Sequence, residues 1–169
     1  AAFVTAMIGH QVAILAPTSI LAKQHFDSFT QRFSPFPIRI EQLSRLGADK
    51  DREKIKKSLQ NGTTDIIIAT HSILQPDIQF KKLGLLIIDE EHKFGVKQKE
   101  IIGLMTTHAH TLAMSATPIP RTLHMSLAKL RDISVIATPP KNRQAICTFV
   151  EKYSDEIVKQ AIELSLIHI

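Results

Sequence analysis

The sequence predicts an α/β domain built on a mostly parallel sheet flanked by helices. Short apolar runs that suit buried strands alternate along the chain with segments of helical periodicity, an alternation typical of parallel sheets. The run Leu85–Ile88 is aliphatic at every position, as expected of a strand covered on both faces. The 169 residues suit one domain, and their 44% hydrophobic content is enough to form its core.

Seven short strands are predicted from β-branched and aliphatic runs. They are Val12–Leu15, Ile38–Leu43, Asp65–Ala69, Leu85–Ile88, Thr111–Met114, Val135–Ile136 and Ile146–Val150. Pro139 and Pro140 separate the last two, because proline interrupts strand pairing.

Helices are predicted between the strands from capping residues and apolar spacing. Gly9 is expected to end the first helix, Thr18 or Ser19 to cap the second, and Asp49 and Ser154 to cap the third and the last. The residues expected to face inward are Ala22, Phe26, Phe29 and Phe33, then Ile55 and Leu59, then Ile101, Leu104 and Met105, then Leu123, Leu127 and Leu130, and finally Ile157, Ala161 and Leu164.

Four of the predicted strands are followed at once by a short polar segment. Thr18 follows the first strand, Thr70–His71 the third, Asp89–His92 the fourth and Ser115–Thr117 the fifth. Ligands of parallel α/β sheets bind beyond the carboxyl ends of the strands. Any one segment could be an ordinary helix cap, but four in succession favour a functional edge of the sheet.

The acidic segment Asp89–Glu90–Glu91–His92 is the strongest candidate site. Carboxylates directly after a buried strand are used in phosphoryl-transfer sites to hold Mg²⁺ on a nucleotide and to orient the attacking water. Asp and Glu also favour helix starts. From these residues alone the two interpretations are equally good.

Composition limits the classes of partner and site. Lys and Arg number 21 against 16 Asp and Glu, a net charge of +5 that permits a polyanionic partner without requiring one. Cys147 is the single cysteine and is predicted to be a core residue, which excludes an intrachain disulfide or a cysteine-based zinc site. His108 and His110 lack further ligands at zinc-site spacing. No apolar run approaches a membrane span and no signal sequence is present, so we expect a cytoplasmic protein.

The polar segments, in this order, resemble the motifs of superfamily 2 helicases and translocases of the DExH type. Asp89–His92 (DEEH) matches motif II, Ser115–Thr117 (SAT) matches motif III, and Ala16–Thr18 (APT) matches motif Ia. The segments HKFGVKQKE and SATPIPRTLHMSLAKLRD narrow the resemblance to the transcription-repair coupling factor family and the related RecG family of branch-migration helicases. DEEH and LRDISVIATPPKNRQAICTFV favour the coupling factors, since the RecG family usually has Gln in place of Glu91.

The resemblance, which covers about residues 10–164, implies a RecA-like (P-loop NTPase) motor domain that uses ATP and Mg²⁺ on double-stranded DNA. It implies that Asp89 holds the Mg²⁺, that Glu90 orients or deprotonates the attacking water, and that Glu91 belongs to the nucleotide site. His92 is expected to act with them and to relay the nucleotide state. The resemblance implies that Ser115 and Thr117 take part in this relay. The residues that it implies face DNA are Thr18, Arg45, Thr70, His71 and Arg121.

Two features depart from the family. The 169 residues contain no G-x-x-x-x-G-K-[ST] phosphate loop, and LIHI at residues 166–169 stands where the family has a basic, glycine-containing turn. We therefore expect a partial, N-terminally truncated ATP-binding domain over residues 1–169. Its last helix, at about 154–169, is expected to lead toward a second motor domain. Such a fragment is not expected to hydrolyse ATP by itself.

The implied parent is a double-stranded-DNA translocase of transcription-coupled repair that displaces stalled RNA polymerase. Its other parts would bind RNA polymerase and repair proteins, and no membrane partner is expected. Two alternatives remain open. One is a RecG-type branch-migration helicase, and the other is a DNA- or protein-binding module that retains an inactive motor fold.

Overall fold

The computed structural model describes residues 1–43, 49–116, 132–138, 148 and 150–166. The chain divides into two compact units, residues 1–131 and 132–169. The first contains the sheet and both of its helical layers, and the candidate site lies entirely within it.

The sheet of the first unit has five parallel strands within the described part of the chain. They are β1 (Gln11–Leu15), β2 (Ile40–Leu43), β3 (Ile66–Ala69), β4 (Leu83–Asp89) and β5 (His110–Met114). Their spatial order is β2-β3-β1-β4-β5, and every neighbouring pair is parallel. The predicted parallel α/β sheet is therefore confirmed. Strand β4, which leads into the acidic segment, lies next to β1.

Helices cover the sheet and connect its strands. They are α1 (Ala2–Met7), α2 (Ser19–Phe33), α3 (Asp49–Asn61) and α4 (Val96–Met105), with single 3₁₀ turns at His71–Leu74 and Glu91–Lys93. Thr18 caps α2 as predicted, because its Oγ1 accepts a hydrogen bond of 3.3 Å from the Leu21 amide. No helix in the described part of the chain is long and apolar enough to span a membrane.

Alternation along the strands divides the core into two apolar layers. Val12 and Ile14 of β1 face α1 and α2, whereas Ala13 and Leu15 face the opposite layer. Leu85–Ile88 is buried throughout, as its uninterrupted aliphatic run predicts. The phenylalanines of α2 pack on the first layer: Phe26, Phe29 and Phe33. The second layer includes Leu59 of α3, Phe94 in the loop before α4, and Ile102 of α4.

Two expectations for the helices of the first unit differ from the structure. Asp49 is the first residue of α3 rather than its cap. In α4 the buried residue is Ile102, and Leu104 is 77% exposed. Met105 packs against the second apolar layer as predicted, but the inward positions of Ile101 and Leu104 were wrong. Apolar residues surround this short helix, so spacing alone did not select the side that meets the sheet.

The second unit contains one described helix, Asp155–Leu166, capped as predicted by Ser154, whose Oγ accepts a hydrogen bond from the Ile157 amide at 3.3 Å. Ile157, which was expected to face inward, is 41% exposed. Val135–Ile136 forms no strand, because a run of two β-branched residues has too few backbone groups to hold a ladder. The predicted helix at Leu123–Leu130, Cys147 and most of the predicted strand Ile146–Val150 lie outside the described residues.

Candidate functional site

The carboxyl ends of the strands meet along one edge of the sheet. Leu15 of β1 pairs with both Ala69 and Ile88, and Asp89 of β4 pairs with Met114 of β5. The residues that follow these pairs are the polar segments singled out in the sequence. Their predicted alignment along one edge is therefore observed for those segments that the structure describes.

The chain bends sharply where β4 ends. Glu90 has φ +50° and ψ +54°, the left-handed conformation, and leads into the 3₁₀ turn Glu91–Lys93. A non-glycine residue in this conformation costs about 1 kcal/mol or more and persists where its surroundings hold it. Phe94 follows the turn and is only 6% exposed, so a buried aromatic side chain anchors the far end of the bend.

The bend brings Glu90, His92 and Ser115 together. Oε2 of Glu90 lies 3.3 Å from Nδ1 of His92, and the Ser115 hydroxyl donates a hydrogen bond of 3.3 Å to the same Oε2. His92 Nδ1 and Ser115 Oγ are 3.2 Å apart. The triangle joins the end of β4 to the end of β5. A carboxylate, an imidazole and a hydroxyl within hydrogen-bond reach can accept and pass a proton.

Asp89, the first acid of the segment, is held separately from this triangle. Its Oδ2 lies 2.8 Å from Nε2 of His25 on α2, and the two side chains are 18% and 26% exposed. The sequence interpretation did not identify His25. The available signal was its position on the apolar face of α2, between Ala22 and Phe29, where a polar side chain needs a partner.

The described DNA-binding candidates, Thr18, Thr70 and His71, lie on the same edge, each after the end of a strand. Thr18 is exposed and its hydroxyl caps α2. Thr70 is 5% exposed and precedes the 3₁₀ turn that carries the exposed His71. Ser72, also missed in the sequence, donates a hydrogen bond of 3.4 Å to the Leu43 carbonyl and ties the ends of β2 and β3 together.

Three candidate residues, Arg45, Thr117 and Arg121, lie outside the described residues. Among the residues that are described, no group of three or more His, Cys, Asp or Glu side chains is arranged to hold a metal ion.

The sequence model of the DEAD/DEAH box helicase family matches residues 1–126. The matched region contains the sheet, the Glu90–His92–Ser115 triangle and the His25–Asp89 pair. It also contains every residue proposed above for the nucleotide site.

Transcription-repair coupling factors are similar to almost the whole chain. The Escherichia coli (strain K12) protein is 49% identical over 162 residues, which is 96% of this chain and 14% of the relative. The Bacillus subtilis (strain 168) protein is 49% identical over 166 residues, which is 98% of this chain and 14% of the relative. The chain thus spans about one seventh of the length of these relatives.

Solved structures of helicases are also similar to this chain. RecG bound to a three-way DNA junction is similar over 92% of this chain and 20% of its own, with a TM-score of 0.71 and 38% identity. The DUF1998 helicase MrfA, at 21% identity and a TM-score of 0.55 over 75% of this chain and 23% of its own, shares the fold. By the family match, the homologous sequences and the shared architecture, the chain belongs to the DEAD/DEAH box helicase family.

Proposed function

We propose that the chain is the core of the first motor domain of an ATP-dependent double-stranded-DNA translocase that acts in transcription-coupled repair. The proposal rests on the similarity to transcription-repair coupling factors over 96% of the chain. The single structural observation that carries it is the Glu90–His92–Ser115 triangle at the carboxyl edge of a parallel sheet. A proton acceptor and its partners at this edge support the proposal, because such folds bind nucleotides there.

The residues present fit one half of a nucleotide site. Asp89 and Glu90 supply carboxylate oxygens, the ligand type that Mg²⁺ prefers, and both side chains are partly accessible. The phosphate-binding half requires a glycine-rich loop with a Lys, and the 169 residues contain no such motif. We propose that these residues alone do not hydrolyse ATP and that the loop completes the site.

Each residue of the edge then has a proposed role. Asp89 would hold Mg²⁺, which when bound neutralises developing charge on the phosphates. Glu90 would orient the attacking water and accept its proton, and Glu91 would belong to the nucleotide site. His92, hydrogen-bonded between the strand ends, would respond to the state of Glu90.

DNA contacts are proposed for the remaining strand ends. Thr18, Thr70 and His71 present hydroxyl, backbone and imidazole groups that suit phosphate contacts, which position a strand without reading its sequence. Arg45 and Arg121 are also proposed to contact DNA from their motif positions, whereas Thr117, with Ser115, would relay the nucleotide state to this edge. RNA polymerase and repair proteins would bind other parts of the parent protein in the cytoplasm, and a second motor domain would follow the helix at about 154–169.

A chimeric protein tests this function. The 162 matching residues of the E. coli coupling factor are replaced by those of this chain, and ATP hydrolysis is measured with and without duplex DNA. We expect DNA-stimulated hydrolysis, and we expect Glu90→Gln to reduce it by about a hundredfold or more, since the water loses its proton acceptor. Glu100→Gln, an exposed acid on α4, is the matched control and should have no effect.

Two results would contradict the proposal. One is a folded chimera without DNA-stimulated hydrolysis, and the other is unchanged hydrolysis in Glu90→Gln. If the chimera does not fold, the corresponding Glu→Gln change in the intact E. coli protein decides the role of this acid. Displacement of a stalled RNA polymerase by the active chimera then tests the biological assignment.

A RecG-type branch-migration helicase is the second candidate, favoured by the similarity to RecG at 38% identity. The same residues would serve both motors. The chimera separates them, because a RecG-type segment would support hydrolysis stimulated by branched DNA but would not displace RNA polymerase.

A further inference from the structure

A cavity of about 720 Å³ lies at the amino-terminal edge of the sheet, opposite the candidate nucleotide site. Its walls come from the end of α1, the segment leading into β4 and the turn between α4 and β5. It is separated from Asp89 by the length of β4, about 20 Å. Its residues have no part in the proposed hydrolysis.

The titratable side chains around this cavity are all basic. Its lining contains no Asp or Glu, and they are His10, Lys81, Lys82, His108 and His110. Lys81 donates a hydrogen bond of 3.3 Å to the Asn61 carbonyl. Within the described part of the chain, the Lys82 ammonium and the three imidazoles make no hydrogen bond or ion pair. Two lysine ammonium groups and three imidazoles that can donate hydrogen bonds, all on one concave surface, suit an anionic partner.

Helix capping does not account for the basic side chains beside the cavity. Lys and His side chains often bind the last carbonyls of a helix, and α4 ends beside the cavity. Its final carbonyls are already bonded, however, because the Thr106 hydroxyl donates to Ile102 and Gly103 and the Thr107 hydroxyl donates to Leu104. The imidazoles of His108 and His110 are therefore not needed to bind these carbonyls.

Apolar side chains adjoin the cationic cavity. Ile78 and Phe80 form part of its wall. Ile8 also lines it while remaining 65% exposed, and Val4 and Met7 on the same face of α1 are 63% and 51% exposed. Exposed apolar residues grouped beside a cleft are typical of protein interaction sites.

We propose that this cavity and the adjoining α1 stripe of Val4, Met7 and Ile8 form a docking site for an acidic protein segment that carries an apolar anchor residue. The lysines and imidazoles would bind its carboxylates, and the anchor would occupy the apolar wall beside Phe80. The exposed apolar stripe favours a peptide over a small anion, which would leave it uncovered. The position on the edge opposite Thr18 and Thr70 favours a protein over DNA.

Peptide titration tests the proposal on the 169-residue chain. The probe is a fluorescein-labelled ten-residue peptide of Asp and Glu around one Leu and one Phe, and binding is followed by anisotropy. We expect saturable binding that Lys82→Gln/His108→Gln weakens by about tenfold, with loss of one ammonium charge and one imidazole hydrogen-bond donor. Lys57→Gln/Lys99→Gln removes two exposed lysines elsewhere and should change affinity less than about twofold. A probe with Ser in place of Leu and Phe should bind at least about fivefold more weakly, because it lacks the apolar anchor.

Several outcomes would overturn the proposal. They are no binding, equal weakening by the two double variants, or displacement of the peptide by pyrophosphate or duplex DNA at lower concentration than by unlabelled peptide. If the cavity variant does not fold, amide chemical shifts of the unsubstituted chain decide. Peptide-induced shifts at Gly84 and Met105, both in the lining, support the site, and shifts confined to other surfaces contradict it.

Discussion

Nε2 of His25 lies 2.8 Å from Oδ2 of Asp89, which joins the middle of α2 to the end of β4. Both side chains are less than one third exposed. A carboxylate in this environment is stabilised by its hydrogen bond and costs free energy when left unpaired. The orientation of the first acid of the DEEH segment therefore depends on a helix that follows a different strand.

The first prediction follows from this pair. His25→Ala should lower the free energy of unfolding by about 1 kcal/mol, because Asp89 loses its partner in a partly buried position. Urea denaturation measures the change. His71→Ala is the control, since His71 is exposed on the same edge and should alter stability little. Equal midpoints for the two variants would show that the His25–Asp89 pair contributes nothing to folding.

The second prediction concerns the backbone of Glu90. Both Glu90→Gly and Glu90→Ala remove the carboxylate, but only glycine adopts φ +50° without steric cost. We expect Glu90→Gly to be more stable than Glu90→Ala by about 1 kcal/mol, measured by urea denaturation. The same pair of changes at Glu100, inside α4, should give the opposite sign, with glycine less stable by about 1 kcal/mol. If glycine is less stable at both positions, the left-handed bend is not strained.

The fold was predictable where a local pattern determines burial. Leu85–Ile88 is aliphatic at every position and can satisfy a sheet only as a strand covered on both faces, and Thr18 has a side chain that caps a helix wherever one starts. The face of α4 was not predictable, because Ile101, Ile102 and Leu104 compete for the same contact. Tertiary packing selected Ile102.

In the candidate site, too, only the residues that belong to a local sequence pattern were predictable. Acids after a buried strand identified Asp89 and Glu90, but His25 is 64 residues away from Asp89 in the sequence, and no local pattern links them. The left-handed backbone of Glu90 was also not predictable from the sequence, because it depends on tertiary packing such as the burial of Phe94 after the turn. The roles assigned to these residues stay predictions until the variants are measured.

The third prediction is a pH dependence of stability at the surface of α3. The Lys56 ammonium lies 2.8 Å from Asp77 and also bonds Glu53. The hydrogen bond to Asp77, followed by that to Glu53, raises the pKa of Lys56 above its ordinary value of 10.5, and the Lys56 hydrogen bond lowers the pKa of Asp77 below 3.8. The Lys56 contribution is therefore lost as the pH rises above its raised pKa, and the Asp77 contribution is lost as the pH falls below 3.8.

Lys56→Gln should consequently lower the urea midpoint near neutral pH, and the difference from the unsubstituted chain should shrink at both extremes. Lys57→Gln, one residue along α3 and exposed, is the control. A difference that is constant from acid to alkaline pH would show that packing of the Lys56 side chain, and not its charge, is responsible. Added salt should reduce the neutral-pH difference, because exposed ion pairs are screened.

The fourth prediction separates hydrolysis from its coupling to DNA and depends on the proposed function. The Ser115 hydroxyl bridges Glu90 and His92 from the end of β5, so its removal leaves the proton acceptor in place but breaks the link to the neighbouring strand. In the coupling-factor chimera, Ser115→Ala should reduce the stimulation of ATP hydrolysis by duplex DNA about tenfold, because about one hydrogen bond is lost. The basal rate of hydrolysis should change much less. Ser34→Ala removes a hydroxyl that bonds Gln31 at the end of α2 and should leave both rates unchanged. A parallel fall of the basal and stimulated rates in Ser115→Ala would assign the hydroxyl to the chemical step instead, because the link between the strands would then have no separate effect.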